Sequence, residues 1–495
     1  MTHPPSLAAL LETVAAQRGT APALVSRTER MDYGTLLRAA RRVAWHIAEH
    51  IPPGAAVATL VPHTPDGVAG LLGGLLSGRT CIVLNPLDPT ARIAGILNAA
   101  RPAAVLADAA GPDCAGMPRM DLAAALAAPD TPGFPPPLPP DAPAIVHFTS
   151  GSSGVPKGIA FTMAAMLHRC ADGYPYGPSD VSIGPSMPST SAGLCLVVAP
   201  LLGGGQVLLA RLASEGATAL LGLMRDNGAT CAAIGPAILR MLLRLPGARA
   251  AFAQVRLIRI GGAGITGADL AAWREVLPAS TLLLHRYAST EGGVVTMFPV
   301  PPDYACTGML PSGHLVPGLD ATIVDDAGHP VAAGQSGELV LRGPHLALGE
   351  WHHGDFVPGR MHPDPADPCC RVFATGDIFR REPDGMLRFL SRKDRQVKIN
   401  GVRVEPGEVE AVLRRDPRVT DAAVLAIEST AEMRLLAYVA APGADPADLR
   451  PALSALLAEA LVPAMRPSGI IILDRLPTLP GGKTDIAALR TLAAP

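Results

Sequence analysis

The chain has 495 residues, 48% of them hydrophobic and 17% charged, which describes a globular protein too long for one core, so two or more domains are expected. Lysine plus arginine number 41 against 43 acidic residues, a balance with no net field toward nucleic acid or anionic lipid. Eight cysteines, none in a CxxC pair, argue against a zinc knuckle or a thioredoxin-like motif and fit a reducing compartment.

The opening stretch MTHPPSLAALLETVAAQRG lacks a basic n-region and carries Glu12 among its apolar residues, so it reads poorly as a secretory signal. Stretches 55–61, 79–85 and 103–108 read as buried strands, with helical stretches at 32–50 and 90–102 between them. Continuous apolar strands separated by helices indicate parallel α/β layers. Residues 129–143, PDTPGFPPPLPPDAP, form a stiff proline-rich connector. The uncharged run 194–210 is short for a membrane span and contains Pro200, so a buried helix–turn–strand is expected. The α/β pattern resumes at QVLLA, TCAAIG, VRLIRIGG and TLLLHRY, and from about 320 the texture becomes hairpin-like. After Arg392 the chain turns charged and compact, as in a short α+β module. The predicted division is therefore 1–392 and 393–495, and a cytoplasmic location with no membrane or nucleic-acid partner is expected.

Three chemistries compete. FTSGSSGVPKG at 148–158 has the glycines, hydroxyls and lysine of a phosphate cradle, but the NTPase phosphate loop needs GxxxxGK followed by Ser or Thr, and Gly158 follows Lys157. Gly482-Lys483-Thr484 has Pro477 where that motif needs its first glycine. Gly262-Ala-Gly264-Ile-Thr-Gly267 matches GxGxxG between a plausible strand and a plausible helix, which keeps a nicotinamide-dependent oxidoreductase as an alternative. The third chemistry needs several stretches together: FTSGSSGVPKG, HRYASTEGG (285–293), FATGD (373–377), SRKDRQVKINGVRVEPGEVE (391–410) and LPTLPGGKTD (476–485).

In this order the stretches resemble the adenylate-forming superfamily: acyl-CoA synthetases, aryl-acid ligases, luciferases and peptide-synthetase adenylation domains. The C-terminal motifs are most similar to the peptide-synthetase branch. The resemblance implies a large N-terminal domain of stacked mixed α/β sheets plus a small β region, and a small mobile C-terminal α+β domain. It implies ATP and Mg²⁺ as cofactors. Thr149, Ser150, Gly151, Ser152, Ser153, Gly154 and Lys157 would grip the β- and γ-phosphates. Glu291 would hold Mg²⁺, which prefers carboxylate and phosphate oxygens. Tyr287 would stack on adenine within the segment Ala288, Ser289, Thr290, opposite Gly261, Gly262 and Ala263. Asp377 would accept the ribose hydroxyls, aided by Arg392. Lys483 would bridge the acid carboxylate and the α-phosphate. Asp394 would be the hinge about which the C-terminal module turns, bringing the segment from Lys398 to Arg403 to the thiol channel. Ser391 and Asn400 depart from the family's usual GRxD and KIRG.

Carry-over of the acid-pocket positions gives Ser191, Ala192, Cys195, Ala233, Arg259, Gly261, Arg286, Val294 and Val295. Amino-acid-activating members carry an aspartate where this chain has Ser191, and a hydroxyl cannot offset a buried ammonium. An ordinary α-amino acid is therefore disfavoured. Strand alternation places Val255, Leu257 and Arg259 on one face, and Leu282, Leu284 and Arg286 on another. A guanidinium ending an apolar strand face needs an anion. The source is a second acidic group on the substrate, such as a dicarboxylate, or an internal salt bridge, unless the side chain snorkels out to solvent; an aryl or hydroxy acid is the alternative substrate. The acceptor is expected to be the phosphopantetheine thiol of a separate carrier protein, with CoA or an amine as alternatives.

Overall fold

The structure, a computed structural model, describes residues 6–150, 156–171, 173–393, 397–399, 402–404, 406–428, 433–461, 466–479 and 483–492. Two large sheets dominate the N-terminal domain, one of nine strands and one of eight. The strand Ala56–Leu60 shows why its sequence is apolar throughout. Val57 joins the core shared with helices Leu7–Arg18 and Tyr33–His50, while Ala58 and Leu60 join a second core with helix Thr90–Ala100. Successive side chains face opposite sides of a strand, so a sheet covered on both faces needs no polar alternation. The first of those cores also takes Leu24 and Val207 from the nine-stranded sheet, so it is a helical layer held between two sheets. Helix Tyr33–His50 starts where Asp32 caps it, its carboxylate accepting from Thr35 N–H at 2.7 Å.

The proline-rich connector is pinned across this layer. Trp45 donates its indole N–H to the Gly133 carbonyl at 2.9 Å, and Arg42 pairs with Asp130 at 2.7 Å. The uncharged run forms helix Ser191–Leu202 and strand Gln206–Leu208, a buried helix–turn–strand. No helix among the described residues is long and apolar enough to cross a membrane.

The β region centres on strands Asp320–Val324, Ser336–Gly343, Asp367–Arg381 and Leu387–Arg392 in a five-stranded sheet. One strand from this part of the chain, Gly349–His352, returns to the eight-stranded sheet and pairs antiparallel with Pro156–Phe161. That return sets residues 349–351 beside Lys157 of the stretch 148–158.

The C-terminal domain builds on a three-stranded sheet, Asp421–Glu428, Met433–Ala440 and Gly469–Leu473, with helices Pro406–Leu413 and Pro446–Ala460 in the core on one face. The other face packs with Leu476 and Leu489.

One strand assignment is corrected. Val255 does not share a face with Leu257 and Arg259. It lies in a turn closed by its N–H to Phe252 O, two residues ahead of strand Leu257–Gly261, and packs with Ile258 and Ile260 in the opposite core. The alternation begins only where the ladder does.

Candidate active site

The predicted nucleotide residues sit where several strands end together. Strand Leu282–Ser289 lies between Leu257–Gly261, parallel, and Gly293–Val300, antiparallel. A bulge between Tyr287 and Ala288 breaks the antiparallel ladder, and such bulges re-aim the side chain beside them. Tyr287 reaches across to the β region and donates its hydroxyl to the Asp377 carboxylate. Its ring meets Phe379 edge-on at 4.8 Å and lies near-parallel to Phe389 at 6.1 Å. Burial, and then the Asp377 charge, push the Tyr287 phenol far above its ordinary range, so it stays protonated as a donor.

Asp377 is 4% exposed and stands opposite Arg392 in the ladder between their strands. The Arg392 guanidinium is 3.2 Å from its carboxylate, and the Asp377 N–H donates to Thr375 Oγ1 at 3.0 Å. Tyr287, Asp377 and Arg392 therefore converge from residues up to 105 positions apart in sequence. Gly261 stands opposite Arg286 in the parallel ladder, and Gly262 and Ala263 follow it at the surface.

The stretch FTSGSSGVPKG joins the two strands of a hairpin. Strands Ile145–Ser150 and Pro156–Phe161 pair antiparallel with Thr149 opposite Lys157. Gly151, Ser152, Ser153 and Gly154 lie outside the described residues, as does Asp394. Lys157 is 2.5 Å from the Glu350 carboxylate, whose second oxygen is 3.5 Å from His352. Sequence reasoning missed Glu350, because its strand pairs with a segment almost two hundred residues earlier. Lys398 and Arg403 belong to the facing strands of a two-stranded hairpin. Lys483 lies in an exposed turn closed by Leu479 N–H to its own carbonyl at 2.7 Å. Its ammonium has no ion pair or hydrogen bond among the described residues.

The acid side differs more from expectation. Ser191 is the first residue of helix Ser191–Leu202, capped by Thr190, whose hydroxyl accepts from Gly193 N–H at 3.0 Å. A residue that the sequence reading did not select, Arg169, donates from Nη1 to the Ser191 hydroxyl at 3.0 Å and to the Thr290 carbonyl at 2.7 Å. Its Nη2 donates to the Glu291 carbonyl at 2.8 Å, and the guanidinium lies 4.2 Å from the Phe161 ring centroid. Gly293 makes room for it: a Cβ there would sit 3.1 Å from Arg169 Cγ, on a backbone with φ of 72°. Burial draws the Arg169 pKa down to about 10, with the Cys195 thiol and the Glu291 carboxylate acting the other way. It stays charged at neutral pH. In sequence, HRC offers no sign of this role.

Arg259 and Arg286 do share a face, since Arg259 stands opposite Leu284 and Gly261 opposite Arg286. The Arg259 guanidinium donates to the Tyr174 carbonyl and lies 4.3 Å from the Tyr176 ring centroid. Of the pair Val294 and Val295, Val294 lines a cavity beside Arg169. Val295 is wholly buried in the core with Ile159 and Leu341, because neighbours in a strand face opposite ways. Ala233 is 5% exposed at the end of strand Cys231–Ala233, Ala192 is exposed and Cys195 half-buried.

The GxGxxG stretch has a packing explanation. A Cβ on Gly264 would come within 1.8 Å of Met309 Cε, and one on Gly267 within 1.8 Å of the Cys306 carbonyl. Thr266 and Asp269 close a capping box at helix Gly267–Arg274. These glycines admit the 306–309 segment, which removes the reason to invoke a pyrophosphate there.

Among the described residues no cluster of three or more His, Cys, Asp or Glu could cage a metal ion. A lone half-buried carboxylate at Glu291 fits a cation that takes most of its ligands from phosphate and water.

Family comparison agrees with this geometry. A model described as AMP-binding enzyme matches residues 11–351, and one described as AMP-binding enzyme C-terminal domain matches 408–483. The L-proline–[L-prolyl-carrier protein] ligase of Streptomyces coelicolor is 30% identical, over 99% of this chain and 97% of that protein. The probable non-canonical nonribosomal peptide synthetase CymA of Salinispora arenicola is 32% identical over 98% of this chain, which spans 6% of that protein. The isonitrile lipopeptide synthase of Streptomyces coeruleorubidus is 33% identical, and the chain spans 33% of it. Among solved structures, Klebsiella oxytoca NpsA in complex with 3-hydroxyanthranilyl-AMSN superposes with a TM-score of 0.86 at 18% identity, over 99% of this chain and 100% of that one. ATP-bound MatB from Rhodopseudomonas palustris gives 0.84 at 21% identity, over 99% of both chains. At these identities the structural likeness is one of fold.

Proposed function

The chain belongs to the AMP-binding enzyme family, the adenylate-forming ligases, and on that premise we propose that it activates a carboxylic acid with ATP and passes the acyl group to the phosphopantetheine thiol of a carrier protein. The convergence of Tyr287, Asp377 and Arg392 at the strand ends carries the reading, because it supplies a stacking ring, a ribose acceptor and a cation in one place.

In the first half-reaction a carboxylate oxygen attacks the α-phosphorus, and the bond to the β-phosphate breaks with pyrophosphate leaving. Charge grows on the α- and leaving phosphates, and positioned donors and cations offset it. Thr149, Lys157 and the loop 150–154 hold the leaving group. Lys157 exchanges the Glu350 carboxylate for phosphate when ATP binds. Glu291 would hold Mg²⁺, which supplies further positive charge at the phosphates. Lys483 bridges the acid and the α-phosphate once the C-terminal domain, beginning at 393 with Asp394 as hinge, brings it in. In the second half-reaction the thiol sulfur attacks the acyl carbon, AMP leaves and the thiol proton passes to solvent.

The acid is not an ordinary α-amino acid. Where amino-acid-activating members place a carboxylate for the ammonium, Ser191 offers a hydroxyl that already accepts from a guanidinium. A cation beside the site opposes an ammonium and favours an acid with a second negative group. The likeness to a carrier-protein ligase over nearly both full lengths favours a carrier acceptor; an acyl-CoA synthetase is the second reading.

The test is acid- and thiol-dependent AMP release, with holo-carrier protein and CoA compared and acylation read by intact mass. Acyl transfer to the carrier is the expected result. Transfer to CoA alone makes this chain an acyl-CoA synthetase, and no acid-dependent AMP release overturns the reading.

A further inference from the structure

A cavity of about 180 Å³ opens between helix Met163–Cys170, strand Gly293–Val300 and the segments 316–319 and 345–346. Its polar lining is Arg169 with the imidazoles of His168 and His345, which stack at 4.0 Å and 21°. The remaining lining among the described residues is glycine and apolar side chains, Val294 and Met297 among them. Burial comes first, followed by the neighbouring cations, in drawing His345 down to about 4 and lowering His168 as well. Both imidazoles are therefore neutral at pH 7, and Arg169 is the permanent charge among the described lining residues.

Arg169 is 9% exposed, and its three hydrogen bonds go to neutral acceptors: one hydroxyl and two carbonyls. Its Nε–H is buried and has no partner among the described residues. A buried guanidinium without a bonded anion is costly, and an anion in the cavity that Arg169 lines would repay that cost. The same guanidinium holds Ser191, assigned to the acid pocket, and the backbone of Thr290 and Glu291, assigned to the nucleotide and Mg²⁺, so it links the cavity to the site.

We propose that this cavity receives the second anionic group of the acid, with Arg169 as its counter-cation. The proposal rests on the acid-activation reading above and assigns the substrate class within it: a compact dicarboxylate or comparable dianion, activated at one end and held at the other. Planar guanidinium–carboxylate pairing supplies the charge-assisted bonds, and the two imidazoles supply neutral N–H donors beside it. The anion goes to Arg169 instead of Arg259, whose guanidinium is turned onto Tyr174 and the face of Tyr176.

The test is labelled-pyrophosphate exchange by the full chain, with malonate, succinate and glutarate each set against the monocarboxylate of equal length: propionate, butyrate and valerate. At least one dicarboxylate should exceed its partner in kcat/KM by about tenfold or more, the size of one charge-assisted bond. Arg169→Gln should erase that ratio by lowering the dicarboxylate far more than the monocarboxylate. Val294→Phe narrows the cavity without touching the guanidinium and should erase it too, which keeps the proposal testable if Arg169→Gln fails to fold. Equal losses for both acid classes in Arg169→Gln would make Arg169 a strut for the Thr290–Glu291 segment and overturn the proposal. So would a preference that survives both variants but falls on Arg259→Ala or Arg286→Ala. Exchange with monocarboxylates alone, or with none of the six acids, overturns the proposal and leaves the acid-activation reading intact, whereas a further absence of exchange with amino, aryl, hydroxy and longer fatty acids, by folded chain that binds ATP, overturns that reading itself.

Discussion

The proposed nucleotide end and the proposed acid end of this site are built differently. At the nucleotide end the strands fix each residue: Asp377 is placed by its ladder with Arg392, and Tyr287 by the bulge that turns it toward them. At the acid end the dominant charge comes from a helix, Met163–Cys170, which reaches in to hold Ser191 and two carbonyls of the segment 290–291. The first arrangement depends on backbone register and suits a ligand common to a whole family. The second depends on one long side chain and suits a ligand particular to this chain.

Substitutions separate the two ends, with the largest effect expected where they meet. Lys483→Ala should lower the exchange rate about 10²–10³-fold, the cost of removing one donor aimed at transition-state charge, and should do so for every acid. Asp377→Asn should raise the KM for ATP about tenfold to a hundredfold, by loss of charged acceptance of hydroxyls, and leave the acid KM unchanged. Ser191→Asp sets a carboxylate against Arg169 and should raise the KM for a dianionic acid about tenfold with the ATP KM unchanged. Steady-state kinetics with each substrate varied in turn reads both. A shift in both KM values on either substitution would mean that the ends are not independent. Tyr287→Phe removes only the hydroxyl from Asp377 and should raise the ATP KM about fivefold, the smallest of these effects.

A pH titration probes the scaffold beneath both ends. His63, His147 and His285 are buried, and burial draws each pKa down to about 4. Between about pH 4 and the ordinary value of 6.5 the unfolded chain binds protons that the folded chain does not. Stability therefore falls as pH drops through that window, by up to about 1.4 kcal/mol per pH unit for each histidine. Denaturant melts at pH 7, 6 and 5 should show the midpoint falling, and His147→Gln should flatten the slope.

Much of this was legible in the sequence for physical reasons. Runs such as 55–61 and 103–108 announce strands because both faces of their sheet are covered, while Asp377 and Glu291 are reached only through the resemblance of FATGD and HRYASTEGG to family motifs. What stayed hidden depends on long-range pairing. Glu350 meets Lys157 because a late strand joins an early sheet, and nothing near either residue encodes that. Arg169 reads as one more cation in a helix until folding brings Ser191 and Glu291 to it. Val255 shows the converse, where periodicity extended past the strand's first residue gave the wrong face.

Adenylation of a carboxylic acid is read out in one assay, carboxylate-dependent exchange of labelled pyrophosphate into ATP. Exchange should require a carboxylic acid and Mg²⁺ and collapse in Lys483→Ala. Folded, ATP-binding protein that exchanges no label with any of amino, aryl, hydroxy, fatty or dicarboxylic acids would contradict it.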